Sequence, residues 1–323
     1  MSRIHEALKR AEQERAANTS VATHILTAPL APSSPSQVID ETGTGIGRAA
    51  THTAPERAAA PSAGYLRFED LRKRCAHPEW HLDPNVNVFV NPALSAQAAE
   101  QFRTLRSRLY QMRGAQPLRT LLVTSSLPAE GKTFVTNNLA QAIVRQPDRR
   151  VLIIDADLRC SRLHVPLGAP LSPGLTEYLR GQADEATVLQ HGLEGNLCFI
   201  PGGTEAANPS ELLSNGRLKV LLDRLAPVFD WIIMDSAPLL PVADSSFLAD
   251  LVDGVLLVVR AGTTPSETAQ RACQELQGRN IVGVVLNSVN PEEAYGGYYS
   301  SAYGYGYGYA ESYGRNDSAG SSK

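Results

Sequence analysis

The sequence predicts an α/β domain built on a mostly parallel central sheet flanked by helices, with extensions of different character at either end. Three observations point there. From about Leu94, short apolar runs alternate with longer amphipathic segments, the rhythm of strand and crossover helix. Several of the runs are unbroken Val, Ile and Leu, as in strands covered on both faces. One run, LLVT, leads through a Gly-Lys-Thr loop into a helical pattern, the strand-loop-helix context of a phosphate-binding loop.

Residues 1–17 make the first segment. An amphipathic helix is predicted over 2–15, because Ser2 can cap it and Ile4, Ala7, Leu8 and Ala11 recur at helical spacing opposite a charged face. It reads either as a frayed surface helix or as a docking element for a partner or membrane. Over 18–64 the composition changes: 31 of 47 residues are Ala, Pro, Ser, Thr or Gly. Such a segment buries too little apolar surface to offset its ordering entropy, so a disordered linker is expected. Residues 65–93 form an ambiguous connecting segment. The domain proper, 94–290, holds candidate strands at 120–124, 151–154, 197–200, 231–234, 254–259 and 281–286. Its candidate helices are 94–112, 132–145, 209–225 and 265–278. Beyond Pro291 the pattern stops, and 291–323 is expected to be a flexible tail carrying eight of the chain's 11 tyrosines.

Composition excludes several classes. Thirty Lys and Arg against 33 Asp and Glu leave a net charge of −3, which removes a broad cationic surface and the simplest case for nucleic-acid binding. The 43% hydrophobic and 20% charged residues suit one globular core plus appendages. No stretch approaches the ~18 uninterrupted apolar residues of a spanning helix, and the first residues lack a signal-peptide core, so a cytoplasmic protein is expected. Cys75, Cys160, Cys198 and Cys273 are dispersed, which argues against zinc, redox and disulfide frameworks.

The chemistry concentrates at strand ends. In the loop from Ser126 through Glu130, Gly131, Lys132 and Thr133, backbone N–H groups and a helix N-terminus can hold phosphate oxygens. Lys132 can neutralise β/γ charge and Thr133 can ligate magnesium. A chance Gly-Lys-Thr in a surface loop is the bland alternative. The next strand, VLIIDADLR, ends in Asp155 and Asp157 with Arg159 beyond. At the C-terminal edge of an open sheet these carboxylates would face the same crevice, to position magnesium or accept a hydroxyl proton; a solvated strand end with an Asp-Arg pair is the alternative. A third strand, WIIMD, ends in Asp235, where nucleotide-hydrolysing P-loop folds place a carboxylate for the magnesium shell, unless it is a turn-forming Asp before Pro238. Asn287, after IVGVVL, can pair with an adenine edge or simply start a turn.

The trio SSLPAEGKT, LIIDADLR and IIMDSAP, followed by a tyrosine cluster, resembles the bacterial tyrosine-kinase family of capsular and exopolysaccharide synthesis (CpsD/CapB-like) from about Leu94 to Tyr313. The resemblance implies a P-loop NTPase-like fold, ATP and Mg2+ as cofactors, and catalysis by Lys132, Asp155 and Asp157. Ser126, Glu130, Gly131, Lys132, Thr133 and Asn287 would hold the nucleotide, and Thr133, Asp155 and Asp235 the metal. It further implies phosphoacceptors at Tyr295, Tyr298, Tyr299, Tyr303, Tyr305, Tyr307, Tyr309 and Tyr313. The family's Glu-x-x-Arg-x-x-Arg element of ring-like self-association is matched by Glu100, Arg103 and Arg106, whose spacing alone suits a solvated helix face. Implied partners are further copies of the chain, a separate membrane polysaccharide co-polymerase that recruits and activates it at the inner face of the plasma membrane, and a protein-tyrosine phosphatase. Two departures stand out: Ala129 where many members carry Gly, and Cys160-Ser161 where Arg-Pro is common.

The expected function is therefore an ATP-dependent protein-tyrosine autokinase that phosphorylates its own tail, between subunits, in control of polysaccharide assembly or export. One rival is a positioning ATPase of the MinD/ParA kind, whose loop carries an extra early lysine where this chain has Leu127. Another is a non-catalytic adaptor that binds through the Tyr/Gly tail, since such repeats also occur as interaction segments.

Overall fold

The computed structural model describes residues 66–90, 92–192 and 196–289, the side chains of 92–95 apart. The helix expected over 2–15, the linker and the tyrosine tail lie outside these residues.

In chain order the elements are α1 (Phe68–Arg74), α2 (Pro92–Ala115), β1 (Thr120–Ser125), α3 (Lys132–Val144), β2 (Val151–Asp155), α4 (His164–Leu167), α5 (Leu175–Leu179) and α6 (Glu185–Val188). There follow β3 (Gln190–His191), β4 (Leu197–Ile200), α7 (Pro209–Ser214), α8 (Arg217–Leu225), β5 (Trp231–Asp235), α9 (Asp244–Ala249), β6 (Gly254–Arg260), α10 (Ser266–Glu275) and β7 (Ile281–Asn287). The described strands form one sheet in the order β3-β4-β2-β5-β1-β6-β7. All neighbours are parallel except β3, which runs antiparallel to β4 at one edge.

Alternation along each strand builds a core on both faces. Leu121, Val123, Val151, Ile153, Trp231 and Ile233 point to the side covered by α2 and α3, where Phe102, Leu109, Leu139 and Ile143 meet them. Leu122, Leu152, Ile154, Ile232 and Met234 point to the other side, covered by Leu218, Leu221, Leu222 and Leu225 of α8. The i, i+3, i+4, i+7 spacing of those four leucines makes α8 an amphipathic helix. Each fully buried side chain of this size contributes roughly 1.5–3 kcal/mol. Helix α3 is buried over Val135–Ile143, and two of its amide side chains reach the preceding segment: Asn137 donates to Asn87 Oδ1 at 2.6 Å, and Asn138 to the Val86 carbonyl at 2.9 Å.

Three differences from the sequence expectation have physical causes. Five of the six expected strands run one residue further, to Ser125, Asp155, Asp235, Arg260 and Asn287, because strand pairing continues past the point where apolarity stops. The helix expected over 209–225 is two helices, broken where Gly216 takes a left-handed conformation (φ 83°) and Asn215 turns its amide onto the Leu179 carbonyl at 2.9 Å. Strand β3 and helices α4, α5, α6 and α9 are too short to show a period. Among the described residues, no helix is long and apolar enough to cross a membrane.

Candidate active site

Strand β5 lies between β1 and β2, so three motif-bearing strands end side by side. Asp155 and Asp235 are register partners across β2 and β5, and the loop after β1 opens beside them. Parallel pairing places these carboxyl ends along one edge, where α/β sheets bind ligands.

The loop is held by its own residues and by β7. Gly131 caps α3 in a left-handed conformation (φ 94°), and a Cβ there would lie 2.0 Å from Asn287 Nδ2; only glycine satisfies both constraints. Ala129 is also left-handed (φ 63°), at a cost of about 1 kcal/mol for an L residue. The buried Glu130 accepts the Leu127 N–H at 2.8 Å on Oε2 and the Thr264 hydroxyl on Oε1. Asn287 donates to the Glu130 carbonyl at 2.9 Å. In this arrangement Glu130 and Asn287, expected on the nucleotide, brace the loop. Ser126 is buried, with its hydroxyl unpartnered.

At the centre, Lys132 Nζ lies 2.9 Å from Asp157 Oδ2. The Thr133 hydroxyl donates to Asp235 Oδ2 at 2.6 Å, while Asp235 Oδ1 is buried without a partner. Asp155 accepts three hydrogen bonds: from the Ser161 hydroxyl at 2.6 Å, the Leu163 N–H at 3.0 Å and the Asp157 N–H at 3.2 Å. Ser161, at one of the two departures from the family pattern, thus anchors the first carboxylate. Asp157 itself takes the Cys160 N–H at 3.0 Å on Oδ1.

Burial and mutual repulsion set the charge states. Burial pushes Asp235 up to about 7, against the pull of Lys132 and the Thr133 hydrogen bond, with Asp155 and Asp157 adding to the rise. Burial likewise pushes Asp155 up to about 6, despite its three hydrogen bonds. Burial opposes the charge of Lys132, yet Asp235, Asp157 and Asp155 together hold it above the ordinary lysine value. A cation facing three crowded carboxylates, one with an orphaned oxygen, is a site prepared for further positive charge. Among the described residues no three His, Cys, Asp or Glu side chains form a ready metal cage. Magnesium keeps several waters and takes one or two protein ligands plus phosphate oxygens; the unpartnered Asp235 Oδ1 and the Thr133 hydroxyl have the chemistry of such ligands.

Other expected residues are placed differently. Arg159 pairs with neither strand-end carboxylate. Its guanidinium forks onto Asp244 at 2.7 and 3.2 Å and reaches Ser210 at 2.8 Å. Burial disfavours the Asp244 charge, but Arg159 and Ser210 override it and hold the carboxyl below its usual range. Nothing in the spacing marked Asp244 or Ser210. In α2, Glu100 and Arg103 form an exposed ion pair at 3.0 Å, whereas Arg106 turns inward and donates to the Ala142 carbonyl at 2.6 Å. Two steps of three residues rotate a side chain by about 120° around a helix of 3.6 residues per turn, so the three do not share one face. The tail tyrosines lie outside the described residues.

No family model matches the chain. It is 37% identical over 225 residues to tyrosine-protein kinase etk of Escherichia coli strain K12, a match covering 68% of this chain and 31% of that protein, so the chain spans under a third of that relative's length. It is 31% identical over 216 residues to tyrosine-protein kinase YwqD of Bacillus subtilis, covering 66% of this chain and 91% of YwqD. The solved kinase domain of Escherichia coli ETK superposes with a TM-score of 0.59 at 32% identity, covering 70% of this chain and 95% of that one. With nearly the whole of YwqD matched and the three strand-end motifs gathered at one edge of the sheet, this chain belongs to the bacterial tyrosine-protein kinase family.

Proposed function

We propose that this chain is an ATP-dependent protein-tyrosine autokinase, and that its substrate is the tyrosine cluster of its own C-terminal segment. The observation that carries this is the meeting of Lys132, Thr133, Asp155, Asp157 and Asp235 at one sheet edge, in a chain whose relatives are tyrosine-protein kinases. ATP is the co-substrate. Its phosphates would lie against the loop amides and the N-terminus of α3. Lys132 then exchanges Asp157 for the γ-phosphoryl oxygens, whose developing charge it stabilises.

That exchange gives the two paired aspartates separate tasks. Asp155 is occupied by three protein donors and holds the loop after β2 in place. Asp157, released from Lys132, accepts the proton of an incoming tyrosine hydroxyl, which at its ordinary pKa of ~10 is still protonated at neutral pH. The tyrosine oxygen bonds to the γ-phosphorus, the bond to the ADP oxygen breaks, and the proton passes from Asp157 to solvent. Magnesium, held by Thr133 and Asp235 with water and phosphate oxygens, would supply charge neutralisation at the β- and γ-phosphates.

The wider setting belongs to the same proposal: self-association through α2, a membrane co-polymerase that recruits the chain to the inner face of the plasma membrane, a phosphatase that resets it, and control of polysaccharide assembly or export. Family resemblance supports each of these. Incubation with Mg-ATP followed by intact-mass measurement and peptide mapping tests the activity. Mass increments of one phosphate mapping to Tyr295–Tyr313 are expected; ATP turnover without phosphotyrosine would favour the positioning-ATPase alternative instead.

A further inference from the structure

Among the described strands β7 stands at one edge of the sheet. Among the described residues it pairs only with β6, and its sequence, IVGVVLN, carries no charge and no proline, the usual devices that blunt such an edge. Val284 and Leu286, two residues apart and therefore on one face, remain 51% and 62% exposed. At the opposite edge the two-residue antiparallel β3 is met on its outer side by a single bridge from Ala76 to Gln190. The backbone donors and acceptors that β7 turns away from β6, carried by alternate residues, form with the apolar row beside them a template for another strand.

The chain that follows β7 carries the matching pattern. Tyr303, Tyr305, Tyr307 and Tyr309 alternate strictly with Gly304, Gly306 and Gly308, so in extended conformation all four rings fall on one face and the glycines on the other. This stretch is seven residues long, as is β7. Thirteen residues, 290–302, connect it to Val289, and at up to ~3.3 Å each they suffice to turn the chain and bring it back. Ser288 already takes a left-handed turn conformation (φ 56°).

We propose that Tyr303–Tyr309 of the same chain adds to the β7 edge as an antiparallel eighth strand, laying its tyrosines over Val284 and Leu286. The antiparallel direction is that of a segment which leaves the end of β7 and turns back along the same edge without crossing the sheet. Docking withholds these four tyrosines from the Lys132–Asp157 crevice and leaves Tyr295, Tyr298, Tyr299 and Tyr313 exposed to it; that consequence rests on the kinase function proposed above, whereas the docking does not.

Hydrogen exchange read by mass spectrometry tests it, on phosphatase-treated, nucleotide-free full-length chain, so that failure of the docking and failure of the kinase assignment are separable. Two full-length variants are compared with the unmodified chain: Gly304→Pro with Gly306→Pro and Gly308→Pro, which removes backbone pairing but keeps every tyrosine, and Val284→Asp with Leu286→Asp, which spoils the apolar row. Peptides covering 303–309, and those covering 281–289 in the proline variant, should exchange about tenfold or more faster than in the unmodified chain. Equal rates in either variant overturn the proposal. Protection that rises with protein concentration also overturns it, by assigning the edge to a second copy.

Discussion

Lys132 is the residue on which the site turns. Three carboxylates hold its charge against burial, and its 2.9 Å contact with Asp157 occupies the group proposed above as the base, which transfer by that route requires to be free. Lys132→Met should lower tail phosphorylation by at least ~100-fold, the scale expected for losing a charge aimed at the transition state. The fold should persist, since no hydrophobic core is emptied; intact mass after Mg-ATP, with circular dichroism for the fold, checks both. Asp235 allows a test without nucleotide. In the native chain it keeps its proton up to about pH 7, whereas an unfolded aspartate releases it near ~4. Between those values the native state binds more protons than the unfolded state, so this group's contribution makes stability fall as pH rises. Asp235→Asn should therefore match the unmodified chain near pH 4 and exceed its unfolding free energy by roughly 1–3 kcal/mol at pH 8. Urea titrations across that range measure the difference, and an unchanged gap between the two proteins would contradict it. At this scale the motif residues were legible, because Gly131, Lys132 and the strand-end aspartates announce themselves by local context. The contacts by which Glu130 and Asn287 brace the loop were not, because what they touch is set by the loop's path and by β7, 157 residues further on.

Helix α2 divides its three signature residues between two tasks. Arg106 closes the last turn of α3 by donating to Ala142, a charge-assisted hydrogen bond near a helix C-terminus, where a cation is favoured. Glu100 and Arg103 are exposed and bound to each other, an arrangement contributing little to folding. Arg106→Ala is expected to cost about 1–2 kcal/mol in unfolding free energy, and Glu100→Ala with Arg103→Ala under about 0.5 kcal/mol. If α2 mediates self-association, the second pair of substitutions should shift the sedimentation distribution to smaller species while leaving denaturation midpoints nearly unchanged. An unaltered distribution over a wide concentration range would leave those residues as a solvated face. The element itself was legible from its periodicity. Its inward and outward residues were not, since a repeat of three drifts around a 3.6-residue helix and only the position of α3 decides which side is covered.

For the whole molecule, the proposed reaction depends on reach. From Pro291 to Tyr309 the chain extends at most about 65 Å at ~3.6 Å per residue, enough to enter the crevice of an adjacent copy. Mixing Lys132→Met chains with chains whose tail tyrosines are all Phe should place phosphotyrosine on the Lys132→Met tail. No label there, with the partner proven active on unmodified tails, would confine transfer to one chain. Each added phosphate brings about −1.5 to −2 charge, so several on one tail outweigh the net −3 of the chain and should loosen any assembly, a change that sedimentation before and after phosphorylation reads directly. The sequence by itself determined the α/β class, the six principal strands, the four principal helical regions and the residue types at the strand ends. Those features rest on periodicity, turn chemistry and local spacing, which act over a few neighbours. Only the tertiary structure decided that β5 inserts between β1 and β2, which makes Asp155 and Asp235 partners, that Arg159 answers to Asp244 at a separation of 85 residues, and that β7 stands at the edge of the sheet among the described residues. Strand order and long-range pairing follow from how the two cores close around the sheet, and a contact between distant residues leaves no period in the chain between them.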